Sequence, residues 1–341
     1  YTGRYAHAAG MLGLAHDPFN WRLHQDEAYL AGHFQEARYR TALIGVQHVT
    51  AHQEEAVRRL GFDHVVLEDS AALIPGLAAA WLDDVQEEAF FLNIGFMIPH
   101  RDPGGHYHQA PPDDSLGVQV PGYLPDTPEA RREFSELQGV IRQMDDAVGA
   151  LRGELEKRGL MNDTWMIFTT DHGLAMPRAK CTLYDPGIET ALIMYAPTSG
   201  ITGGRRFKEL ISNVDIVPTI LECLEMETPD NLHGSSFAGL LRGDPYSGRK
   251  YVFAEKTFHT AYEPQRAVRS DRYKLIWNAE IGIVNVPGDV RRSPIYPQML
   301  EQITQERPAL EFYDLEHDPL EQQNLISDPE YESEIEDLRE T

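Results

Sequence analysis

The sequence predicts an α/β protein with a smaller antiparallel unit at its C-terminal end. Three observations carry this reading. Short apolar runs alternate with helical periods over residues 1–245. Beyond residue 245 the strand-like pieces follow one another with only turns between them. A chain of 341 residues, set against a usual domain of ~150, suits one large unit plus a small one.

The elements follow in order. Residues 41–45 (TALIG) and 62–67 (FDHVVL) read as strands, 71–88 as a helix and 89–96 (AFFLNIGF) as a buried strand. Residues 97–127 are rich in Pro, Gly, His and Asp without periodicity, which predicts a long loop, either functional or disordered. The clearest helix starts after Thr127, a capping residue, with Pro128 in its first turn and Glu129 at its positive end. Phe134, Leu137, Val140, Ile141, Met144, Val148, Leu151 and Leu155 keep a helical period, and Gly159 is placed to end it. Residues 165–169 (WMIFT) read as a second buried strand, 191–195 (ALIMY) as the strand of a further βα-like unit, and 213–225 as a helix despite Pro218. Residues 251–255, 265–269 and 273–278 predict a small antiparallel sheet, and 327–339 an acidic, solvated helix. The expected division is 1–245 and 246–341.

Composition narrows the function. Thirty basic against 54 acidic residues give a net charge of −24, which argues against nucleic acid, whose binding needs a basic surface. Residues 311–341 alone carry −11. No run of 18 apolar residues occurs, so neither a transmembrane helix nor a membrane partner is expected. Cys181 and Cys223 cannot build a disulfide framework and read as free thiols. Compartment and oligomeric state are left open.

Sites in open α/β sheets form at the carboxyl ends of strands; three of four signals fall there, and the fourth, Lys180, lies in the loop a few residues after Asp171-His172. Asp171-His172, directly after WMIFT, offers a hard oxygen and an imidazole to a divalent cation. An Asp/His turn that satisfies backbone groups is the alternative. His100-Arg101, just past AFFLNIGF, suits an oxyanion or the proton of a leaving group, or else an ordinary surface loop. Lys180 would hold an anionic substrate as a point charge, or be a solvated surface lysine. His48 lies beyond the strand TALIG. The three strand ends together outline a polar rim over one sheet.

These motifs resemble those of the sulfatase family, within the alkaline-phosphatase-like superfamily, almost from end to end. YTGRYAHAAGMLG at 1–13, TALIGVQH at 41–48, the strand and PHR around 91–103, and MDDAVG through FTTDHG at 144–173 each match a family pattern. So do KCTLYDPG at 180–187, RAVRSDRYKLIWN at 266–278 and FYDLEHDPLEQQNL at 312–325. PHR together with YEPQRAVR is most similar to the N-sulfoglucosamine sulfohydrolase-like branch. The resemblance implies a three-layer α/β/α fold with a smaller C-terminal α+β part. It implies hydrolysis of sulfate esters or sulfamates on a sulfated saccharide or a small sulfate ester.

Carried over by position, the resemblance makes Asp171 and His172 ligands of a divalent cation, usually Ca2+, with Mg2+ or Mn2+ as alternatives. Lys180 would contact the sulfate, His100 protonate the leaving group and His48 bond the nucleophile. Arg101, His259 and Arg266 fall among substrate-pocket residues. Two departures stand out. Val46 replaces the lysine of the family's G-K-x-H element. No C/S-x-P/A-x-R motif occurs, although the family makes its formylglycine nucleophile from that motif. The resemblance therefore implies a nucleophile and a first strand upstream of Tyr1, and a chain inactive on its own. Two alternatives stay open: a phosphonate or phosphate ester hydrolase of the same superfamily, or a truncated non-catalytic homologue that retains an anion or metal pocket.

Overall fold

A computed structural model of the chain describes residues 1–51, 53–282 and 284–341. The helix α1 (Leu30–Glu36) leads into strand β1 (Arg40–Gly45). Every residue of β1 after Arg40 is buried, as expected of a central parallel strand. It pairs in parallel with β2 (His64–Val66) on one side, Leu43 opposite Val65. On the other side lies β3 (Phe90–Gly95), Ile44 opposite Ile94. Helix α2 (Ile74–Val85) makes the crossover between β2 and β3 and lays Ala78, Trp81, Leu82 and Val85 on Ala42 and Ile44. Leu30 and Phe34 of α1 cover Phe91 on the other face.

Helix α3 (Pro128–Lys157) is 30 residues long. The Thr127 side chain accepts the Ala130 N–H at its start. Gly159, at φ +69°, takes the left-handed turn just past its end. Its inner face of Phe134, Leu137, Val140, Met144 and Ala147 joins one large core. That core also takes in Val286, Val290, Ile295, Met299 and Ile303. Part of the chain beyond residue 245 therefore packs into the large unit.

Strand β4 (Met166–Thr169) pairs with β5 (Leu192–Tyr195) in antiparallel fashion, Ile167 opposite Met194. The strand read at 191–195 is present and is followed by the helix Ile216–Cys223, but it runs antiparallel to β4. The connection is a loop folded over the end of β4, with one helical turn at Asp185–Ile188, and no helix crosses the sheet to reverse the chain. A correction concerns β3 and β4, both read as buried strands. Among the described residues each has a strand partner on one edge only, and their side chains are largely half-buried. The two pieces nevertheless share their cover. Phe91 and Ile167 both pack against the cluster of α1 and α4 (Ile216–Cys223), and Leu92 and Met166 both pack against the cluster of α2. The strands therefore form one layer between two helical layers.

The C-terminal sheet runs β6 (Val252–Phe258), β7 (Tyr262–Arg269), β8 (Tyr273–Asn278) and β9 (Leu310–Asp314), antiparallel throughout and in that order. Sequence reading had missed β9. The acidic end forms α5 (Glu332–Glu340), which is not wholly solvated. Ile335 and Leu338, three apart, pack on Val268, Leu275 and Phe312. Among the described residues no helix is long and apolar enough to cross a membrane.

Candidate active site

The carboxyl ends of β3 and β4 carry the two loops that build the site. After β4 the chain passes Asp171-His172-Gly173 and returns through Lys180 to Gly187. Gly173 and Gly187 let the two limbs of this loop touch. A Cβ on Gly173 would lie 2.0 Å from the Pro186 carbonyl oxygen, and one on Gly187 2.3 Å from that of Ala179. The Gly173 N–H donates to the Gly187 carbonyl at 3.0 Å, and the Lys180 N–H to that of Leu174 at 3.0 Å.

The C-terminal sheet then clamps the loop from outside. Lys256 donates to the Cys181 carbonyl at 2.8 Å and pairs with Glu263. Lys274, fully buried, donates to the Leu183 carbonyl at 3.2 Å and pairs with Asp185 at 2.5 Å and Glu321 at 2.6 Å. Burial works against the Asp185 carboxylate. The charges and hydrogen bonds of Lys274 and Arg269 outweigh it and hold the group below its ordinary pKa.

Lys180 is the buried cation of the site, 8% exposed. Its Nζ lies 3.2 Å from His100 Nε2 and donates to Asp289 Oδ2 at 2.7 Å. His100 Nδ1 lies 2.7 Å from the Arg101 carbonyl oxygen, which can only accept. Nδ1 therefore carries the proton, and Nε2 presents a lone pair to Lys180. His259, on the turn after β6, lies within electrostatic reach of Lys180, Asp289 and His172. Burial, with the charge of Lys180 next, pushes its pKa down to about 4, so it is a neutral imidazole. Its Nδ1 is buried with no protein hydrogen-bond partner.

The remaining sequence-predicted residues fall into different settings. Asp171 is 87% exposed at its side chain, and its Oδ1 accepts the His172 N–H at 3.0 Å. His172 turns Nδ1 to the Gly173 carbonyl at 2.8 Å. This pair brings two donors to a cation, against the six to eight oxygens a calcium ion takes. Among the described residues the grouping of three or more metal-type ligands is Asp314, Glu316 and His317, at the end of β9. Its Asp314 is already held by Arg272 at 2.7 Å. His48 is exposed just beyond β1, its ring 6.0 Å from that of His16.

Arg101 departs from the substrate-pocket expectation. Its five N–H donors are all engaged: twice by the Ala175 carbonyl, once each by the Gly105 carbonyl, Glu133 and Met176 Sδ. Its guanidinium also stacks on Tyr107 at 4.4 Å, and its side chain has no exposed surface. It therefore fixes the loop behind His100. Arg266 is partly exposed on β7, 3.4 Å from Glu255, and donates to the Lys256 and Gln265 carbonyls. Cys181 and Cys223 are both free. Burial pushes the Cys181 thiol up to about 11, so it is no ready nucleophile.

Sequence reading missed Asp289. It stands on the short helical turn Gly288–Arg291, inside a stretch with no periodicity, where Pro287-Gly288-Asp289 signals only a turn.

A family model described as sulfatase matches residues 1–226, and one described as N-sulphoglucosamine sulphohydrolase, C-terminal, matches 172–282. Human N-sulphoglucosamine sulphohydrolase is 28% identical, over 99% of this chain and 77% of that protein. A solved structure in complex with its substrate D-glucosamine-2-N,6-O-disulfate superimposes with a TM-score of 0.73 at 16% identity. The match covers 99% of this chain and 84% of that one. A phosphonate monoester hydrolase from Silicibacter pomeroyi does so with a TM-score of 0.71 at 17% identity, over 99% and 82%. At such identities the likeness speaks for the fold.

Proposed function

The chain belongs to the sulfatase family of hydrolases, with the alkaline-phosphatase-like α/β fold, and from that premise we propose that it acts on a sulfated saccharide, as an N- or O-sulfate hydrolase. The observation that carries this reading is the buried Lys180 set 3.2 Å from His100 at the end of the strand layer. A sulfuryl group in transfer spreads negative charge over its peripheral oxygens, and a fixed cation stabilises that charge. The leaving atom needs a proton, which an imidazole supplies near neutral pH. Once an anion draws Lys180 away from Nε2, that nitrogen is open to carry and deliver a proton. Neutral His259 offers its buried Nδ1 to a sugar hydroxyl. Arg266 and His48 would add polar contacts to a saccharide.

Asp171 and His172 would furnish two ligands to a divalent cation, calcium by family analogy, whose chemistry is charge stabilisation at the sulfuryl oxygens. Two donors do not complete such a site. Formylglycine is the nucleophile that family membership suggests. Neither cysteine stands in a C/S-x-P/A-x-R setting. We also infer that residues 1–245 form the body of the catalytic unit, to which the part beyond residue 245 adds Asp289 and His259. The C-terminal sheet serves it by clamping the Lys180 loop.

The fold shared with a phosphonate monoester hydrolase supports a second reading, since Lys180 and His100 would suit a phosphoryl group as well. Calorimetric titration of the chain with glucosamine N-sulfate, glucosamine 6-O-sulfate and a phenyl phosphonate monoester separates the two. Binding of a sulfated sugar, weakened at least roughly tenfold by Lys180→Ala, is the expected result. Tighter Lys180-dependent binding of the phosphonate would transfer the assignment to the second reading.

A further inference from the structure

Asp289 introduces an electrostatic conflict into a pocket for anions. Its carboxylate is bonded to the cation that would hold a sulfuryl group and lies 3.6 Å from His100 Nε2. Its side chain is 18% exposed, so solvent screens it weakly. Nor is it a stray surface acid. The turn that carries it is anchored by Val290 and Ile295, both fully buried. Ser293, four residues on, donates to Glu133 at 2.7 Å, and Glu133 is the partner of Arg101. One buried network therefore fixes both the loop of His100 and the turn of Asp289.

A carboxylate in that place opposes a bare anion and favours a hydrogen-bond donor. The bridging atom of the substrate decides which it meets. In a sulfamate that atom is a nitrogen bearing N–H. In a sulfate ester it is an oxygen with no hydrogen to donate. Free inorganic sulfate likewise has nothing to offer a carboxylate.

We propose that Asp289 is a specificity-determining residue: it holds Lys180 when no anion is bound and, once a sulfuryl group takes Lys180, accepts the bridging N–H, so that N-sulfated sugars are selected over O-sulfated ones and over inorganic sulfate. This rests on the reading of the pocket as a sulfatase site. A site built around a hydrogen bond rejects the analogue that lacks the donor, because a buried polar group is then left facing its like.

The test is calorimetric titration of the full chain with sodium sulfate, glucosamine 2-N-sulfate and glucose 2-sulfate, the last being the bridging-oxygen counterpart. Wild type, Asp289→Asn and Lys180→Ala are compared. Wild type should prefer the N-sulfate to glucose 2-sulfate by roughly tenfold or more. Asp289→Asn, which keeps size and removes charge, should bind inorganic sulfate and glucose 2-sulfate roughly tenfold tighter and lose most of the preference. If sulfate binding depends on Lys180 but Asp289→Asn leaves affinities and preference unchanged, or weakens sulfate, the role of Asp289 is overturned while the sulfatase reading stands. If Lys180→Ala binds all three probes as wild type does, the sulfatase reading of the pocket falls and the role of Asp289 falls with it.

Discussion

Arg101 and Arg266 show how the same residue type comes to lie in opposite settings. Both matched substrate-pocket positions by resemblance. Arg101 is sealed against Glu133 at 2.5 Å with its side chain wholly buried, whereas the Arg266 side chain is 39% exposed. Removing one partner of a buried ion pair leaves a charge without compensation, which costs about 3–5 kcal/mol, while an exposed pair contributes about 0–1 kcal/mol. Arg101→Ala should therefore lower the unfolding free energy by about 3–5 kcal/mol in urea titration, and Arg266→Ala by less than ~1 kcal/mol. Equal effects of the two would contradict the assignment of Arg101 to loop support. At this scale the positions of His100, Asp171 and His172 past strand ends were legible because the strand-end rule needs only short-range sequence, and that of Lys180 because it follows the Asp-His pair closely. Asp289 was not, because its partner Lys180 lies 109 residues away and nothing local marks it.

Among the elements, the Lys180 loop depends on a sheet that comes more than sixty residues later in the chain. The Lys274, Asp185 and Glu321 cluster sits at the junction. Burial raises the pKa of Glu321, and the charge of Lys274 opposes that rise. Without Lys274 two carboxylates would face each other with little water. Lys274→Met should destabilise the chain by about 3–5 kcal/mol and weaken sulfate binding, and Lys274→Arg should restore part of both. Urea unfolding together with sulfate titration checks this, and a loss below ~1 kcal/mol with unchanged binding would exclude the clamp. The strands themselves were legible from apolar runs and α3 from its period and cap. Strand direction was not, since periodicity does not encode it and the β4–β5 connection has no helix to reveal by its absence. The buried face of α5 was hidden because Ile335 and Leu338 stand among acidic neighbours. β9 escaped because Glu311 and Asp314 interrupt its apolar run, and both are buried against partners.

For the molecule as a whole, a net charge of −24 disfavours a long polyanionic ligand, and −11 of it lies in residues 311–341. An anion must be held locally, by Lys180 and its neighbours, which suits a short saccharide or a chain end. The three-layer architecture gathers that pocket from loops far apart in sequence, with the C-terminal part supplying Asp289, His259 and the clamp. The central claim is that Lys180 and His100 together bracket the sulfuryl group. Nitrogen-15 imidazole spectra of the histidine-labelled chain, recorded as glucosamine N-sulfate is added, test it most directly. The expected result is a saturable shift of the His100 Nε2 resonance, absent in Lys180→Ala, as the lysine leaves that nitrogen for the anion. Saturation of sugar binding with the His100 resonance unmoved, or the same shift in Lys180→Ala, would contradict it.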